Sequence, residues 1–339
     1  MGTYAFDYNR RKSCATIRLK KRGLEVVCRE DVFLKMVKNS LPTSPFEKKG
    51  NVVLLLLLPS LILIFGLLIY PLIYSFYISL LDFNLTRPGV APFIGLNNYV
   101  RALSDDLFLS SCLRTIYFSV VTVCTEIVLG VAIALLLKQK FRGRGIVRGL
   151  AILPWALPTV VNGIMWKWIY NANYGALNAL LFNLGLISEY QVWLGEPMRA
   201  LHLVMLANIW KETPVGVLMI LATLEGIPEE LYEASRVDGA NTWQRFRYIT
   251  LPLIKPMIGI LFLIKIIWAV REFDLIYIVT RGGPGGGTTV LSYLAYLNSF
   301  KFFKMGYGSA IAYFLIALVM VIGIPYIIAI TRSQGGLFE

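Results

Sequence analysis

Histidine and cysteine are scarce in this 339-residue sequence, which contains one histidine and four cysteines. No two cysteines form a Cys-x-x-Cys pair, the spacing that metal sites and redox motifs commonly use. The phosphate-binding pattern Gly-x-x-x-x-Gly-Lys-Ser/Thr is also missing. We therefore expect no metal centre, no disulfide framework and no ATP site of that type. The constellation of side chains that a membrane-bound enzyme would need is missing as well.

Charged residues make up 16% of the sequence and hydrophobic residues 57%, whereas about 25% of residues are charged in soluble domains. The apolar residues lie in blocks long enough to cross a bilayer core of about 30 Å. Prolines inside the blocks predict kinks, which neighbouring helices can accommodate. This pattern predicts an all-α integral membrane protein with six transmembrane helices. The blocks lie at about residues 52–81, 112–137, 146–169, 200–224, 256–279 and 309–331.

Basic residues are concentrated on one side of the predicted membrane topology. Residues 1–49 contain 12 Lys/Arg against 5 Asp/Glu. The side that holds this segment carries 22 Lys/Arg and the opposite side about eight, so the positive-inside rule places both termini in the cytosol. We predict a basic cytosolic tail over 1–49 and a six-helix domain over 50–335. The tail has no folded nucleic-acid reader beside it, so we expect no nucleic-acid partner.

The polar segment 225–255, between the fourth and fifth blocks, carries the signals of a short helix. Pro228 suits the first helical turn, and Glu229 and Glu230 favour the positive end of the helix dipole. Asp238 and Gly239 predict the end of the helix, because glycine readily takes the left-handed closing conformation.

A second short helix is predicted directly after this glycine. Asn241 with Gln244 three residues later fits a capping box. We expect Leu251 and Pro252 to end this helix, and the fifth membrane helix to begin at Pro256.

Four interpretations of segment 225–255 remain open: a plain connector, a helix on the lipid surface, internal packing, or a docking element for a cytosolic partner. Its four Arg/Lys face five Asp/Glu. Helices that lie on lipid are normally basic, so this balance disfavours the second interpretation. Amphipathic helices that enter grooves are a common recognition mode, which favours docking.

Three runs of residues in this segment resemble the EAA loop of ABC-importer permeases. They are Glu233-Ala234-Ser235, Asp238-Gly239-Ala240 and Ile249-Thr250-Leu251-Pro252. Ser235 stands where the motif has a second alanine. In that family this loop couples the permease to an ATPase subunit, so the resemblance implies a cytosolic coupling (EAA) loop between helices 4 and 5.

Further segments are similar to the maltose-type carbohydrate permeases, and the resemblance covers about residues 50–335. They are Phe93–Tyr99, Leu153-Pro154 with Pro158, Trp210 with Pro214, and Phe273–Tyr277 followed by Gly282–Gly285.

The resemblance implies a permease subunit that imports a sugar or sugar derivative and forms half of the translocation path. The implied partners are a second permease, two ATP-binding subunits and an extracytoplasmic substrate-binding protein. The implied location is the bacterial cytoplasmic (inner) membrane. ATP and Mg²⁺ are expected on the ATPase subunits and no cofactor in this chain, so the chain itself is predicted not to be an enzyme.

The resemblance also assigns candidate residues. The ATPase-coupling candidates are Glu233, Ala234, Asp238, Gly239, Ala240, Leu251 and Pro252. Glu233 could instead pair with Arg236, and Asp238 could serve as a cap. The substrate-path candidates are Asn162, Trp166 and Asn208, because amides and aromatic faces suit sugar hydroxyls and rings.

Each substrate-path candidate also has a structural interpretation. The two asparagines could form hydrogen bonds between helices, and Trp166 could simply pack. We further expect Lys211 and Glu212 to pair with each other or with the partner permease. Arg271 could attract an anionic substrate, but we expect it to pair with Glu272 or Asp274.

A secondary transporter is the alternative function. It would predict inverted repeats and membrane-buried carboxylates for ion coupling. The sequence shows no repeat, and Glu126 is the one acid that we expect in the middle of a span.

Overall fold

The structure is a computed structural model, and it describes residues 17–21, 24–28, 50–87 and 89–335. The chain forms two units, one up to Leu72 and one from Ile73 onward. Most of the predicted tail 1–49 lies outside the described residues.

The first unit contains a short antiparallel hairpin of β1 (Ile17–Lys21) and β2 (Leu24–Cys28). The tail prediction did not include this hairpin. The unit also contains α1 (Gly50–Leu63), which runs into a π-helical segment, Ile64–Ile69.

The second unit consists of helices joined by short connections. It holds α2 (Tyr70–Ser79, which crosses the unit boundary), α3 (Asn97–Leu103), α4 (Asp106–Lys138), α5 (Arg144–Ala156), α6 (Thr159–Ile169), α7 (Ala176–Asn183), α8 (Pro197–Glu225), α9 (Glu229–Val237), α10 (Thr242–Arg245), α11 (Leu251–Val270), α12 (Leu291–Tyr296) and α13 (Met305–Gly335). Single π-helical turns cover Phe246–Thr250, Ile276–Thr280 and Leu297–Lys301. The prediction of an all-α membrane fold is confirmed.

In the described part of the chain, five helical stretches are long and apolar enough to cross a membrane. They are Leu56–Ser79, Asp106–Lys138, Pro197–Glu225, Thr242–Val270 and Met305–Ile328. Counting the bent pair α5–α6 as one span brings the number to six. The exact count of six helices stays a prediction.

The third block is not the single kinked helix that the sequence predicted. Its two halves, α5 and α6, meet at an angle of 94°. Leu157 and Pro158 have extended backbones, with ψ of 133° and 141°. A residue before proline is driven out of the helical region, so Pro158 breaks the helix at Leu157, whereas Pro154 is accommodated inside α5.

The fifth block was also misplaced. The helical stretch starts at Thr242 and ends at Val270, whereas the prediction placed the membrane helix at 256–279. Pro252 and Pro256 both lie within α11. Proline is tolerated in the first turn of a helix, and the π-helical turn before α11 shifts the hydrogen-bond register, since the Leu251 N–H donates to the Phe246 carbonyl.

Helices α4 and α8 form the centre of the second unit. Their backbones approach closely at Gly130 and Gly216, where a Cβ on Gly130 would lie 3.4 Å from the Gly216 carbonyl carbon. Small residues allow such close helix packing in membranes. Apolar side chains of α4, α8 and α11, including Ala134, Ile220 and Leu261, form a buried cluster. The cluster also contains Leu224 and Ile254, which lie close to the two ends of segment 225–255.

Candidate functional site

A buried ion cluster connects α11 to the two central helices of the second unit, α4 and α8. The Nζ atom of Lys265 in α11 lies 3.2 Å from Oε2 of Glu126 in α4 and 3.1 Å from Oε2 of Glu212 in α8. It also donates a 2.5 Å hydrogen bond to the backbone carbonyl of Glu212. The Lys265 and Glu126 side chains are only 2% and 4% exposed. Because ionised groups are costly inside a membrane, they are expected to be paired and functional.

The predicted pair of Lys211 and Glu212 is confirmed, with a distance of 2.7 Å between Nζ and Oε1. Glu212 therefore contacts two lysines. The expectation that Glu126 is the one acid in the middle of a span was wrong, because Glu212 lies within α8 and shares Lys265 with it.

A cavity of about 390 Å³ opens beside this cluster. Its volume falls in the range of small-molecule sites, about 300–1,000 Å³. The cavity lies between α8 and α11 and the residues that follow α11. Its lining consists of Glu126, Asn208, Glu212, Lys265, Trp268, Ala269, Arg271, Glu272, Phe273 and Asp274.

Glu272 is the carboxylate that fixes Asn208 in this cavity. The Asn208 Nδ2 donates to Glu272 Oε2 over 3.3 Å, and the Leu275 N–H donates to Oε1 over 3.0 Å. The expected pairing of Arg271 with Glu272 or Asp274 was wrong, since none of these three has an ion pair within 4.0 Å in the described ranges.

The other two substrate-path candidates lie away from this cavity. Asn162 is completely buried, and its Nδ2 donates to the Ala207 carbonyl of α8 over 3.4 Å. Trp166 packs against Tyr170 and Trp210, with ring centroids 5.3 and 5.8 Å apart. Only Asn208, of the three candidates, lines the cavity.

Segment 225–255 contains the first short helix, the turn and the start of the second helix that the sequence predicted. Helix α9 begins after Pro228, and Gly239 has a φ of +80° directly after it. In the capping box, the Gln244 N–H donates to Asn241 Oδ1 over 2.9 Å and the Asn241 N–H donates to Gln244 Oε1 over 2.8 Å. Asp238 is the C-terminal cap residue of α9, and its N–H donates to the Ala234 carbonyl over 3.0 Å.

The prediction that Leu251 and Pro252 end the second helix was wrong. Both residues lie in the first turn of α11, which continues from α10 through the π-helical turn. Their candidate role in the exit from segment 225–255 therefore concerns a continuous helix rather than a break.

Both charged and apolar side chains are exposed on the surface of this segment. Glu233 is exposed and lies 3.9 Å from Arg236, which also lies 3.5 Å from Glu229. Val237 and Trp243 are 88% and 66% exposed. Large apolar side chains with this exposure suit a surface that another protein covers.

Side chains of this segment contact residues at the C-terminal end of α4, and the segment begins at the end of α8. Lys138 Nζ lies 4.2 Å from the centre of the Tyr232 ring, and the Tyr232 hydroxyl lies 3.0 Å from Thr250 Oγ1. Arg148 donates to Glu225 over 2.6 Å and to the Leu137 carbonyl over 3.0 Å. Segment 225–255 is thus attached to the helices whose other parts carry the ion cluster.

Sequence reasoning did not find the contact of Lys265 with Glu126 and Glu212. The signal that could have found it was the presence of Lys265 within the apolar part of α11 and of Glu126 and Glu212 within two other spans, since charges within a membrane favour pairing.

These features define a multi-spanning membrane protein with a charged internal cavity and a helical segment that protrudes from two of its membrane helices. Comparison with known proteins agrees with this class. The model of the binding-protein-dependent transport system inner membrane component matches residues 126–334. The chain belongs to this family, which consists of transport permeases rather than enzymes.

The chain aligns with nearly the whole length of two curated relatives. It is 39% identical to the trehalose/maltose transport system permease protein MalF of Thermococcus litoralis, over 85% of this chain and 97% of that protein. It is 37% identical to the sulfoquinovosyl glycerol transport system permease protein SmoG of Agrobacterium fabrum, over 80% of this chain and 88% of that protein.

A solved structure shows the same fold. A chain of a bacterial ABC transporter involved in the import of the acidic polysaccharide alginate matches with a TM-score of 0.73 and 22% identity, over 89% of this chain and 99% of that chain.

Proposed function

We propose that this chain is the permease subunit of an ATP-driven importer for a sugar or sugar derivative. The observation that carries this proposal is the position of the cavity between α8 and α11, the two helices that segment 225–255 joins. Two relatives whose names give glycoside substrates support the choice of substrate class.

Energy is supplied by partner subunits in this proposal. The sequence contains no P-loop. In this proposal ATP and Mg²⁺ therefore bind to two separate ATPase subunits. The ATP hydrolysis site lies entirely on them. A second permease completes the translocation path, and an extracytoplasmic binding protein delivers the substrate. A related alginate transporter was solved with its periplasmic binding protein.

Segment 225–255 is the element that docks on the ATPase. Glu233 supplies a polar contact, and Ala234 and Ala240 keep the docking face small. Asp238 caps α9, and Gly239 forms the turn that follows it. Leu251 and Pro252 lie in the first turn of α11, where the segment passes into the membrane helix. Binding of ATP to the partners would favour one of two arrangements of α8 and α11, as in other two-state transitions driven by a distant ligand.

Asn208 contributes to the substrate path in this proposal. Its amide lies in the cavity and contacts Glu272, so a hydroxyl group could replace or extend that hydrogen bond. Asn162 and Trp166 lie one helix away and would contact substrate only in another arrangement of α6 and α8.

The proposed topology follows from the charge distribution. The basic tail and both termini lie in the cytosol, together with segment 225–255.

Reconstitution of the complete importer in proteoliposomes tests this function. Uptake of trehalose or maltose should require ATP on the cytosolic side, and Asn208→Ala should lower uptake at least tenfold while the ATPase subunits stay bound. Asn173→Ala serves as the comparison, since Asn173 is exposed and lies outside the cavity. An importer that accumulates no saccharide, or in which Asn208→Ala matches the parent, would contradict the proposal.

A secondary transporter is the second candidate, because carboxylates are buried within spans. Two lysines contact Glu212, and one of them contacts Glu126, which leaves no free carboxylate in this cluster to bind a coupling ion. Uptake that follows an ion gradient without ATP would favour this candidate.

A further inference from the structure

The charged groups around the cavity are unequal in number. Four of its lining residues are acidic, Glu126, Glu212, Glu272 and Asp274, and two are basic, Lys265 and Arg271. Their hydrogen-bond partners determine which of these charges a substrate would meet.

Lys265 has no donor left for a substrate. A lysine ammonium has three N–H donors. One is directed to Glu126, 3.2 Å away, one to the Glu212 carboxylate, 3.1 Å away, and one to the Glu212 backbone carbonyl. The positive charge is thereby neutralised by two carboxylates, and an anionic group would have to displace one of them.

Glu272 and Asp274 retain accepting capacity. Each Glu272 oxygen accepts one hydrogen bond, from Asn208 or from the Leu275 N–H, and a carboxylate can accept about four. Neither acid has a cation within 4.0 Å among the residues that the structure describes. This edge of the cavity therefore offers several acceptors. Within the described part of the chain Asp274 lacks a partner cation, and burial raises the pKa of the Glu272 carboxyl to about 7, so that Glu272 adds its full negative charge only above that pH.

Arg271 is the remaining cation, and it directly precedes Glu272 and Asp274 in the sequence. Residues 271–274 carry one positive and two negative charges. All three charged side chains line the same cavity, so an anion drawn to Arg271 would also meet repulsion from the carboxylates, which offsets the attraction.

Two aromatic rings complete the lining. Trp268 is 41% exposed, and Phe273 lies next to Glu272 in the chain. Aromatic faces present apolar surface with a negative quadrupole, which suits the C–H face of a sugar ring and adds no attraction for an anion.

We propose that this cavity accepts neutral saccharides, which donate hydrogen bonds from their hydroxyl groups, and discriminates against saccharides that carry a carboxylate or sulfonate. This inference rests on the proposed function, and it specifies the charge of the substrate.

The charge selectivity of the cavity can be measured with a single cysteine. The four native cysteines are replaced by serine, and Ala269→Cys places a thiol in the lining of the permease within its complete complex. Cationic and anionic methanethiosulfonate reagents of similar size then compete to modify it. The cationic reagent should react at least tenfold faster after correction for the intrinsic rates, which corresponds to about 1.4 kcal/mol.

Two sets of variants assign the selectivity to named carboxylates. The double variant Glu272→Gln and Asp274→Asn should reduce the ratio to about threefold or less, which is half of the tenfold effect on a logarithmic scale. Glu189→Gln is the matched control, because Glu189 is an exposed acid that does not line the cavity, and it should leave the ratio unchanged. A ratio near one, an unchanged ratio in the double variant, or a thiol that neither reagent modifies would overturn the proposal.

Protection of the same thiol tests the saccharides directly. Trehalose should slow modification at least tenfold more effectively than a disaccharide of equal size with one uronate group. Equal protection by the two would overturn the inference. If charge selectivity and protection are found but the importer accumulates no saccharide, the proposed function fails alone. If uptake occurs without the selectivity, only the inference on substrate charge fails.

Discussion

The Nζ atom of Lys265 and the Oε2 atom of Glu126 form a 3.2 Å ion pair between α11 and α4, and both side chains are almost completely buried. The two residues are far apart in the sequence and lie within two candidate membrane spans. Because Lys265 also contacts Glu212, the pair belongs to a cluster that joins three helices around the cavity.

Lys265→Met is expected to destabilise the complex strongly, because it leaves the buried Glu126 carboxylate without a cation and Glu212 with Lys211 alone. Removal of one partner of a buried pair costs about 3–5 kcal/mol. A fall in Tm of about 5 °C or more is expected for a chain of this size. Thermal unfolding of the purified complex measures it.

The double variant Lys265→Met and Glu126→Gln should recover part of this loss, since it removes one unpaired charge. Glu196→Gln is the exposed control, because the Glu196 side chain is 63% exposed and its contact with Arg199 spans 4.0 Å, which is worth less than about 1 kcal/mol. A double variant no more stable than Lys265→Met would contradict the charge argument.

Gly239→Val should reduce the coupling of transport to ATP hydrolysis. A Cβ at Gly239 would meet no atom within 4 Å, so the effect arises from its φ of +80° alone. A left-handed conformation costs an L-residue about 1–2 kcal/mol, and branching at Cβ makes it less accessible. The measurement is saccharide transported per ATP hydrolysed.

Gly239→Asn should have a smaller effect, because asparagine tolerates the left-handed region. Gly226→Ala is the second control, since Gly226 has an ordinary φ of −78°. Loss of coupling in Gly226→Ala that equals the loss in Gly239→Val would show that the backbone conformation of Gly239 is not the cause.

Glu233→Lys should weaken binding of the ATPase subunits, if Glu233 contacts them directly. The matched variant is Glu229→Lys, because both glutamates are exposed and both face Arg236. Loss of the contact with Arg236 alone would affect the two variants equally. We expect a tenfold or larger difference in the affinity for the ATPase, measured by binding of the purified subunits. Equal affinities would place the role of Glu233 within the chain.

Asn241→Ala should loosen the start of α10. The substitution removes the side-chain acceptor of the Gln244 N–H, and loss of such a cap costs about 1 kcal/mol. Hydrogen exchange of residues 242–250 should become about fivefold faster, because 1.4 kcal/mol corresponds to tenfold. Asn241→Asp keeps an acceptor at this position and should exchange like the parent. Unchanged exchange in Asn241→Ala would show that packing alone holds this helix.

Features that depend on a few neighbouring residues could be predicted from the sequence. The turn at Gly239, the capping box of Asn241 and Gln244, and the pair of Lys211 and Glu212 each follow from local geometry. Prolines within apolar stretches were predicted poorly, because the apolar pattern favours a continuous helix whereas proline favours a break. Pro158 breaks its helix, whereas Pro252 is accommodated, because a π-helical turn precedes Pro252 and changes the hydrogen-bond register.

Contacts between distant parts of the chain could not be predicted in this way. Lys265 and Glu126 meet only because α4, α8 and α11 pack together. Their separation along the sequence follows no helical period that would indicate a contact. Of the predicted substrate-path residues, Asn208 is therefore the one that lines the cavity beside them.

The position of the Lys265–Glu212 contact has a mechanical consequence. Lys265 lies 15 residues from Thr250, a distance of about 20 Å at 1.5 Å per helical residue. Helices α8 and α11 are therefore clamped together far from the segment that connects them. With this clamp as a fulcrum, a displacement of about 5 Å at the connecting segment, one helical turn, tilts the two helices by about 15°. A small movement at the connecting segment would thus change the separation of α8 and α11 on the far side of the clamp, where Asn208 and residues 271–274 line the cavity.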